Sequence, residues 1–179
     1  MLDAFAGHEL EPIVVIAIAA GLRRSELAAL TWTDVDFGEG TVRIWRGMHR
    51  SGGQTYFEDP KSATSRRTVA LPDWALEMLR PLRGVGPLVA RDGAAMDPTS
   101  ISKGFTAHMA ASELPAVPLR DLRHSHATLA LAAGVDPASV ALRLGHSTIA
   151  VTYDYYLRPG AAGDRDTADK IESLRTRPA

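Results

Sequence analysis

Residues 13–20 form the most apolar run of the chain, Ile13-Val14-Val15-Ile16-Ala17-Ile18-Ala19-Ala20. A bilayer span needs about 20 such residues, so this run is too short to cross a membrane and predicts a buried helix. Pro12 suits the first turn of that helix, and Gly21 breaks it. A buried helix requires a core on its surroundings. The chain has 179 residues, of which 45% are hydrophobic, which fits one compact domain of roughly 100 to 200 residues. Residues 1–10 carry Asp3 and Glu9 and lack a basic stretch followed by an apolar one, so they do not read as a secretory signal.

Beyond Gly21, a short helical pattern resumes at Ser25-Glu26-Leu27-Ala28-Ala29-Leu30 and ends near Trp32. The period then changes from helical to alternating. Residues 41–46, 54–58 and 67–71 read as three short strands of one small antiparallel sheet, with Gly52-Gly53 as the turn between the first two. Asp97-Pro98 and Asp136-Pro137 each pair an N-cap candidate with a proline fit for the next position, and Pro72 is a similar start. Helices are expected near 72–82, 98–112, 119–133, 137–144, 148–156 and 165–175, give or take about 2 to 4 residues. The expected fold class is therefore mainly α, of the α+β kind, with a three-stranded antiparallel sheet.

Zero cysteines exclude disulfide scaffolds, thiol nucleophiles and cysteine-based metal centres. The net charge of −1 hides an uneven distribution. Residues 41–84 hold 8 basic groups against 4 acidic ones, whereas residues 1–40 hold 2 against 7. A basic segment on a neutral chain is compatible with nucleic-acid contact. Arg43, Arg46, Arg50, Arg66 and Arg67 flank or lie in the predicted sheet, where they would follow a DNA backbone or simply be solvated. Lys103, with Ser100 and Ser102, is a further phosphate-contact candidate. Trp32, Trp45 and Trp74 are expected to anchor the core.

The densest polar region is Leu119-Arg120-Asp121-Leu122-Arg123-His124-Ser125-His126. At 100° per residue Arg120, Arg123 and His124 share one helix face, while Leu122, His126, Leu129 and Ala133 share the other. His126 thus reads as a hydrogen-bonded core histidine. His124 and His126 point about 200° apart, which disfavours a shared zinc, and no metal site is expected. Two arginines one turn apart make a planar, permanently charged fork suited to phosphate.

Four further motifs flank that region in order: Gly21-Leu22-Arg23-Arg24-Ser25-Glu26-Leu27, Pro60-Lys61-Ser62, Leu144-Gly145-His146-Ser147 and Thr152-Tyr153-Asp154-Tyr155-Tyr156. Together the five resemble the catalytic domain of the tyrosine recombinases, the phage integrase family, over about residues 10–160. The resemblance implies that Arg23 and Arg123 clamp a scissile phosphate, with Glu26 as a supporting acid. It places Lys61 as general acid for the departing 5′ hydroxyl, His146 on the other side of the phosphate, and Tyr156 as nucleophile. The implied activity is site-specific recombination or integration through a covalent 3′-phosphotyrosine, with no metal or nucleotide cofactor. A topoisomerase of the IB type, or a DNA-binding regulator descended from a recombinase, are the alternatives.

Two positions depart from the family pattern. Arg120 stands where the family usually has the His of His-x-x-Arg, and an arginine stays protonated and cannot act as a base. Arg120 is then expected to stabilise tyrosinate or phosphate charge, leaving His146 or water to take the proton. Thr152-x-Asp154-x-Tyr156 matches an integrase form except that Arg158 replaces its last His; Tyr155 is the alternative nucleophile, about 100° away on a helix. The resemblance also implies a homotetramer on double-stranded attachment sites, cytoplasmic and nucleoid-associated, encoded by a bacterium or phage, with accessory DNA-bending or directionality proteins. Residues 1–160 are expected to be the catalytic domain. Residues 161–179 are expected to be a linker and helix that either docks in trans through Ile171 and Leu174 or folds back on its own domain, with the family's N-terminal DNA-binding domain absent from this chain.

Overall fold

The computed structural model describes residues 1–59 and 66–146. Lys61 and the Tyr153, Tyr155 and Tyr156 cluster lie outside the described residues, as do the expected helices at 148–156 and 165–175.

The apolar run is helix α2 (Glu11–Ala20), with Pro12 in its first turn, and every residue but Ile18 is buried. Ile13, Val14, Val15 and Ile16 are each at most 1% exposed. Burying such side chains contributes about 1.5–3 kcal/mol apiece, so α2 is the axis around which the rest packs. Ahead of it, the single turn α1 (Leu2–Phe5) stacks Phe5 on Phe105 at 5.2 Å between ring centroids. Behind it come α3 (Arg24–Ala29) and a turn of 3-10 helix at Trp32–Asp34. Helices α4 (Asp73–Leu79) and α6 (Asp121–Ala132) pack on α2, and α5 (Pro98–Ala111) packs on α3. Helix α7 (Pro137–Leu144) folds back on α6 through Ala127, Val140 and Leu144. The two expected Asp-Pro starts are present: Asp97 accepts from the backbone N–H of Thr99 and Ser100, and Asp136 from that of Ser139.

The sheet is three-stranded and antiparallel, but its membership differs from the expectation. Strands β1 (Val35–Asp36), β2 (Thr41–Ile44) and β5 (Arg67–Ala70) form it in the order β1-β2-β5, with Val42 opposite both Val35 and Val69. The chain leaves the sheet at Trp45. It then makes a separate hairpin of β3 (Gly47–Ser51) and β4 (Gln54–Glu58), turning at Gly52-Gly53. Strand β3 escaped the sequence reading because its residues do not alternate apolar with polar; it is held by packing against α3. A further short hairpin joins β6 (Ala90–Arg91) to β7 (Ala94–Ala95).

Two expectations about burial are corrected. Trp32 is buried, but Trp45 and Trp74 are 37% and 38% exposed. Trp45 lies at the sheet edge because its indole N–H donates to the Asp34 carboxylate at 2.8 Å. On α6, Leu122 is buried and His126 half-buried as expected, whereas Leu129 is 67% exposed and Ala133 is exposed. Helix α7 covers the neighbouring face through Ala130 and Leu131, but the face with Leu129 and Ala133 lines an open groove with Ile18, Leu71 and Trp74. No helix among the described residues is long and apolar enough to cross a membrane.

Candidate active site

The site begins with two helix ends. Helices α2 and α7 both stop at a glycine in the left-handed conformation, Gly21 (φ 65°) and Gly145 (φ 69°). The α7 end is closed by a pair of bonds, His146 N–H to Ala141 O and Gly145 N–H to Leu142 O, the pattern of a Schellman cap. A helix end leaves carbonyls without intrahelical partners, and its dipole makes that end negative. Cationic side chains are drawn there.

Four arginines and one histidine supply the missing donors. Arg23 gives one terminal nitrogen to Gly145 O at 2.7 Å, and Arg123 bonds Gly21 O at 2.8 Å and Leu144 O at 2.9 Å. Arg67 bonds Arg143 O at 2.7 Å through Nε. Arg143 bonds Ala19 O at 2.8 Å and Ala70 O at 2.9 Å. His126 Nδ1 lies 2.9 Å from Ile18 O, and its Nε2 accepts from Arg143 Nε at 3.1 Å, so Nδ1 carries the proton and donates to the carbonyl. His126 is thus a bonded interior histidine, as the sequence reading had it. Burial, with Arg143 and Arg123 nearby, lowers its pKa although the Ile18 carbonyl favours the charged form.

One carboxylate balances the cluster. Glu26, in the first turn of α3, accepts from the Arg23 backbone N–H at 2.8 Å and from Arg23 Nη1 at 2.9 Å, which fixes the residue at its helix entrance. The same carboxylate takes both terminal nitrogens of Arg67, at 2.9 and 3.0 Å. Burial pushes the Glu26 pKa up, but hydrogen bonds and charge from Arg67 and Arg23 outweigh it and hold the group below its ordinary value.

His146 follows Gly145 directly and stands in the field of these cations. Its pKa is lowered to about 4 by burial first, then by Arg123, Arg23, Arg67 and His124. The imidazole is neutral at pH 7, and so serves as a hydrogen-bonding group rather than a charge. An anion placed among the arginines would offset their field and raise its basicity.

Of the expected site residues, Arg23, Arg123 and His146 are brought together, with Glu26 behind them. Arg120, just ahead of α6, is not part of that cluster: its side chain is 81% exposed and pairs with Asp121 at 3.4 Å. The three candidate DNA contacts are dispersed. Arg50 pairs with Asp97 at 3.3 Å, Arg66 with Asp59 at 2.6 Å, and Lys103 is exposed on α5 one position from Ser102, whose hydroxyl lies 3.4 Å from Arg24 Nη1. Arg46 lies between the rings of Trp45 and Phe57, 4.4 and 4.3 Å from their centroids.

Arg67 corrects the sequence reading, which put it among backbone-following or solvated charges. Its side chain is 8% exposed and belongs to the interior of the site. The alternation of β5 held the signal, because Arg67 shares its strand face with buried Val69. Arg143 was also missed; it sits in the last turn of an amphipathic helix, where a basic residue is ordinary and signals nothing. Among the described residues no three His, Asp or Glu side chains gather as metal ligands.

The sequence model of the phage integrase family matches residues 6–161. The chain belongs to the phage integrase family. Among relatives, a "Tyrosine recombinase XerC-like" protein of Caldanaerobacter subterraneus subsp. tengcongensis is 28% identical, covering 86% of this chain and 46% of its own length. An integrase of Streptomyces ambofaciens is 31% identical, covering 87% and 46%. The chain therefore spans about half the length of these relatives. Among solved structures, the Tn1549 transposon integrase in complex with transposon right end DNA superposes with a TM-score of 0.83 at 20% identity, over 96% of this chain and 62% of that one. XerA recombinase gives 0.70 at 20% identity, over 99% and 60%. At such identities these likenesses speak to the fold, which is that of a tyrosine recombinase catalytic domain.

Proposed function

We propose that the chain is the catalytic domain of a site-specific DNA recombinase or integrase of a mobile element, which cleaves and rejoins strands through a 3′-phosphotyrosine. The observation that carries this reading is the convergence of Arg23 and Arg123 on neutral His146, each guanidinium held at a helix end. In-line attack on a phosphodiester needs fixed positive groups around the non-bridging oxygens, and donors held in advance cost no reorganisation when charge develops. Tyr156 Oη would form the new bond to phosphorus as the bond from phosphorus to the 5′ oxygen breaks. Lys61 would protonate the departing oxygen, and the reverse attack by a 5′ hydroxyl would reseal the strand. The phosphate ester bond is exchanged rather than hydrolysed, so no nucleotide is consumed.

Arg120 cannot take the tyrosine proton. In this reading it moves from Asp121 to stabilise tyrosinate or phosphate charge, and the proton passes to water or to His146 once a phosphate has restored its basicity. Arg50, Arg66 and Lys103 would contact backbone phosphates away from the cleavage point. The working assembly is a homotetramer on two duplexes, with residues 161–179 docking onto a neighbour and an N-terminal domain completing the DNA clamp. Several relatives are named as integrases of phages or prophages, and the Tn1549 protein was solved with DNA, which supports DNA as the substrate class.

Covalent trapping tests the reaction. Incubated with a nicked attachment-site duplex in chelator, the protein should yield a DNA-linked peptide at Tyr156, lost in Tyr156→Phe, while Arg120→Ala should slow adduct formation and Arg120→His should alter its pH dependence. An adduct at Tyr155 would correct the nucleophile. Tight, specific DNA binding with no adduct would favour a DNA-binding regulator instead.

A further inference from the structure

Arg67 lies outside the residues that the family resemblance assigns to catalysis, yet it joins three parts of the site. Both of its terminal nitrogens engage Glu26, at 2.9 and 3.0 Å, in the two-pronged geometry that fixes a carboxylate in plane. The other side of that carboxylate holds Arg23. Through Nε, Arg67 also holds Arg143 O at 2.7 Å, two residues before Gly145. The guanidinium lies flat against Gly145: a Cβ there would come within 2.8 Å of Nη1 and 3.1 Å of Cζ. Since Arg67 and Glu26 are both 8% exposed in their side chains, neither can swing into solvent to relieve a change.

This inference rests on the proposed strand-transfer reading. We propose that Arg67 is a positioning residue of the site, setting Arg23 through Glu26 and the Gly145–His146 turn through the Arg143 carbonyl. It orients the two phosphate-binding groups from behind without touching DNA. A strand residue on the sheet thereby ties α3 to the end of α7, two elements far apart in sequence that must agree on one phosphate. Arginine is required for this, because a lysine keeps the charge but has a single ammonium where the guanidinium makes three bonds in fixed directions.

The test uses Arg67→Met, Arg67→Lys, Glu26→Gln and the Glu26→Gln/Arg67→Met double variant of the 179-residue chain. Two measurements are made without DNA, on folded protein well below its melting temperature: the Arg23 Nε–Hε resonance and the titration of the His146 ring. Two are made with a nicked attachment-site duplex: the dissociation constant and the single-turnover rate of adduct formation. In Arg67→Met the Arg23 resonance should shift or broaden and the His146 midpoint should rise from about 4 as one of its neighbouring cations is removed. Adduct formation should slow by about 100-fold, the loss that a misplacement of about 1 Å can produce, with DNA affinity within about 2-fold. Arg67→Lys should retain DNA affinity and lose about 10-fold in rate or more. The double variant should be no slower than the slower single one, because both act through one contact.

The His146 midpoint responds to loss of the Arg67 charge whatever the role of Arg67. A role in fold stability alone would lower the melting temperature and leave the Arg23 resonance of the folded protein in place, which would overturn the proposal. So would a fall in DNA affinity as large as the fall in rate, which marks a direct phosphate contact. If Arg67→Met fails to fold, Arg67→Lys carries the same four measurements. If the wild type forms no adduct, the strand-transfer reading suffers, while the Arg23 resonance, measured without DNA, still decides the role of Arg67.

Discussion

Replacing Gly21 with alanine perturbs the joint between α2 and α6, and its cost separates into two parts. Gly21 has φ 65°, a conformation in which an L-residue loses about 1–2 kcal/mol relative to glycine. The added Cβ would also lie 2.7 Å from His126 Cδ2 and 2.8 Å from Leu144 Cδ2. His126 cannot simply turn away, because Ile18 O and Arg143 Nε hold both of its ring nitrogens. Forcing one extra carbon into such a contact costs about 1–3 kcal/mol, so the total is about 2–5 kcal/mol. Gly134 supplies the control, for it has φ 83° and nothing within 4 Å of the position its Cβ would take. Gly134→Ala should cost only the conformational part, about 1–2 kcal/mol. Urea unfolding of both variants, with stability differences taken at equal slope, reads this directly. Because the clash pushes α6 from α2, it should also break the bond from Arg123 to Gly21 O, and adduct formation should fall in Gly21→Ala but not in Gly134→Ala. Equal destabilisation of the two variants, within about 0.5 kcal/mol, would refute the steric part of the cost, and with it the close packing of His126 and Leu144 on Gly21.

The N-cap of α5 is a second, independent target. Asp97 accepts from Thr99 N–H, Ser100 N–H and the Ser100 hydroxyl, so Asp97→Ala should cost about 1–2 kcal/mol in urea unfolding and Asp97→Asn much less; a loss below about 0.3 kcal/mol would dismiss the cap. Acidification provides a third. His146 and His126 both have lowered folded pKa values, so the unfolded chain takes up their protons first as the pH falls below about 6.5. Stability should therefore be full above that pH and decline toward pH 4, and a urea midpoint unchanged between pH 7 and pH 5 would contradict the environments described for both rings.

Much of the helical layout was legible because its signals are local. A proline after an aspartate fixes a helix start whatever surrounds it, and the apolar run could only be an interior helix. Strand β3 was not legible, since Gly47-Met48-His49-Arg50-Ser51 has neither alternation nor β-branched residues and gains its conformation from α3 and β4. Arg23, Arg123 and His146 were readable as a set only through ordered motifs, while their mutual geometry depends on backbone carbonyls that carry no sequence mark. Trp74 and Leu129 misled for a related reason. Helical periodicity says which residues share a face, and says nothing about whether another element covers it.

The same carbonyls explain how arginines can be gathered at what are electrostatically the negative ends of two helices, as the proposed phosphate site requires. The ends of α2 and α7 are negative, and would repel a phosphate if left bare. The carbonyls of Ile18, Ala19, Gly21, Arg143, Leu144 and Gly145 instead each bind an arginine or His126, which brings positive charge to both ends. A guanidinium offers five N–H groups, so it can be anchored to a carbonyl through one and still present others outward. The side-chain entropy that a flexible arginine would lose on gripping a phosphate is then lost on folding instead. The cost appears as crowding of positive charge, and Glu26 offsets it at the centre while burial and the remaining field keep His146 neutral. Removing the Glu26 charge should therefore harm geometry and stability together, whereas altering an outlying cation such as Arg66 or Lys103 should change DNA affinity and its salt dependence alone.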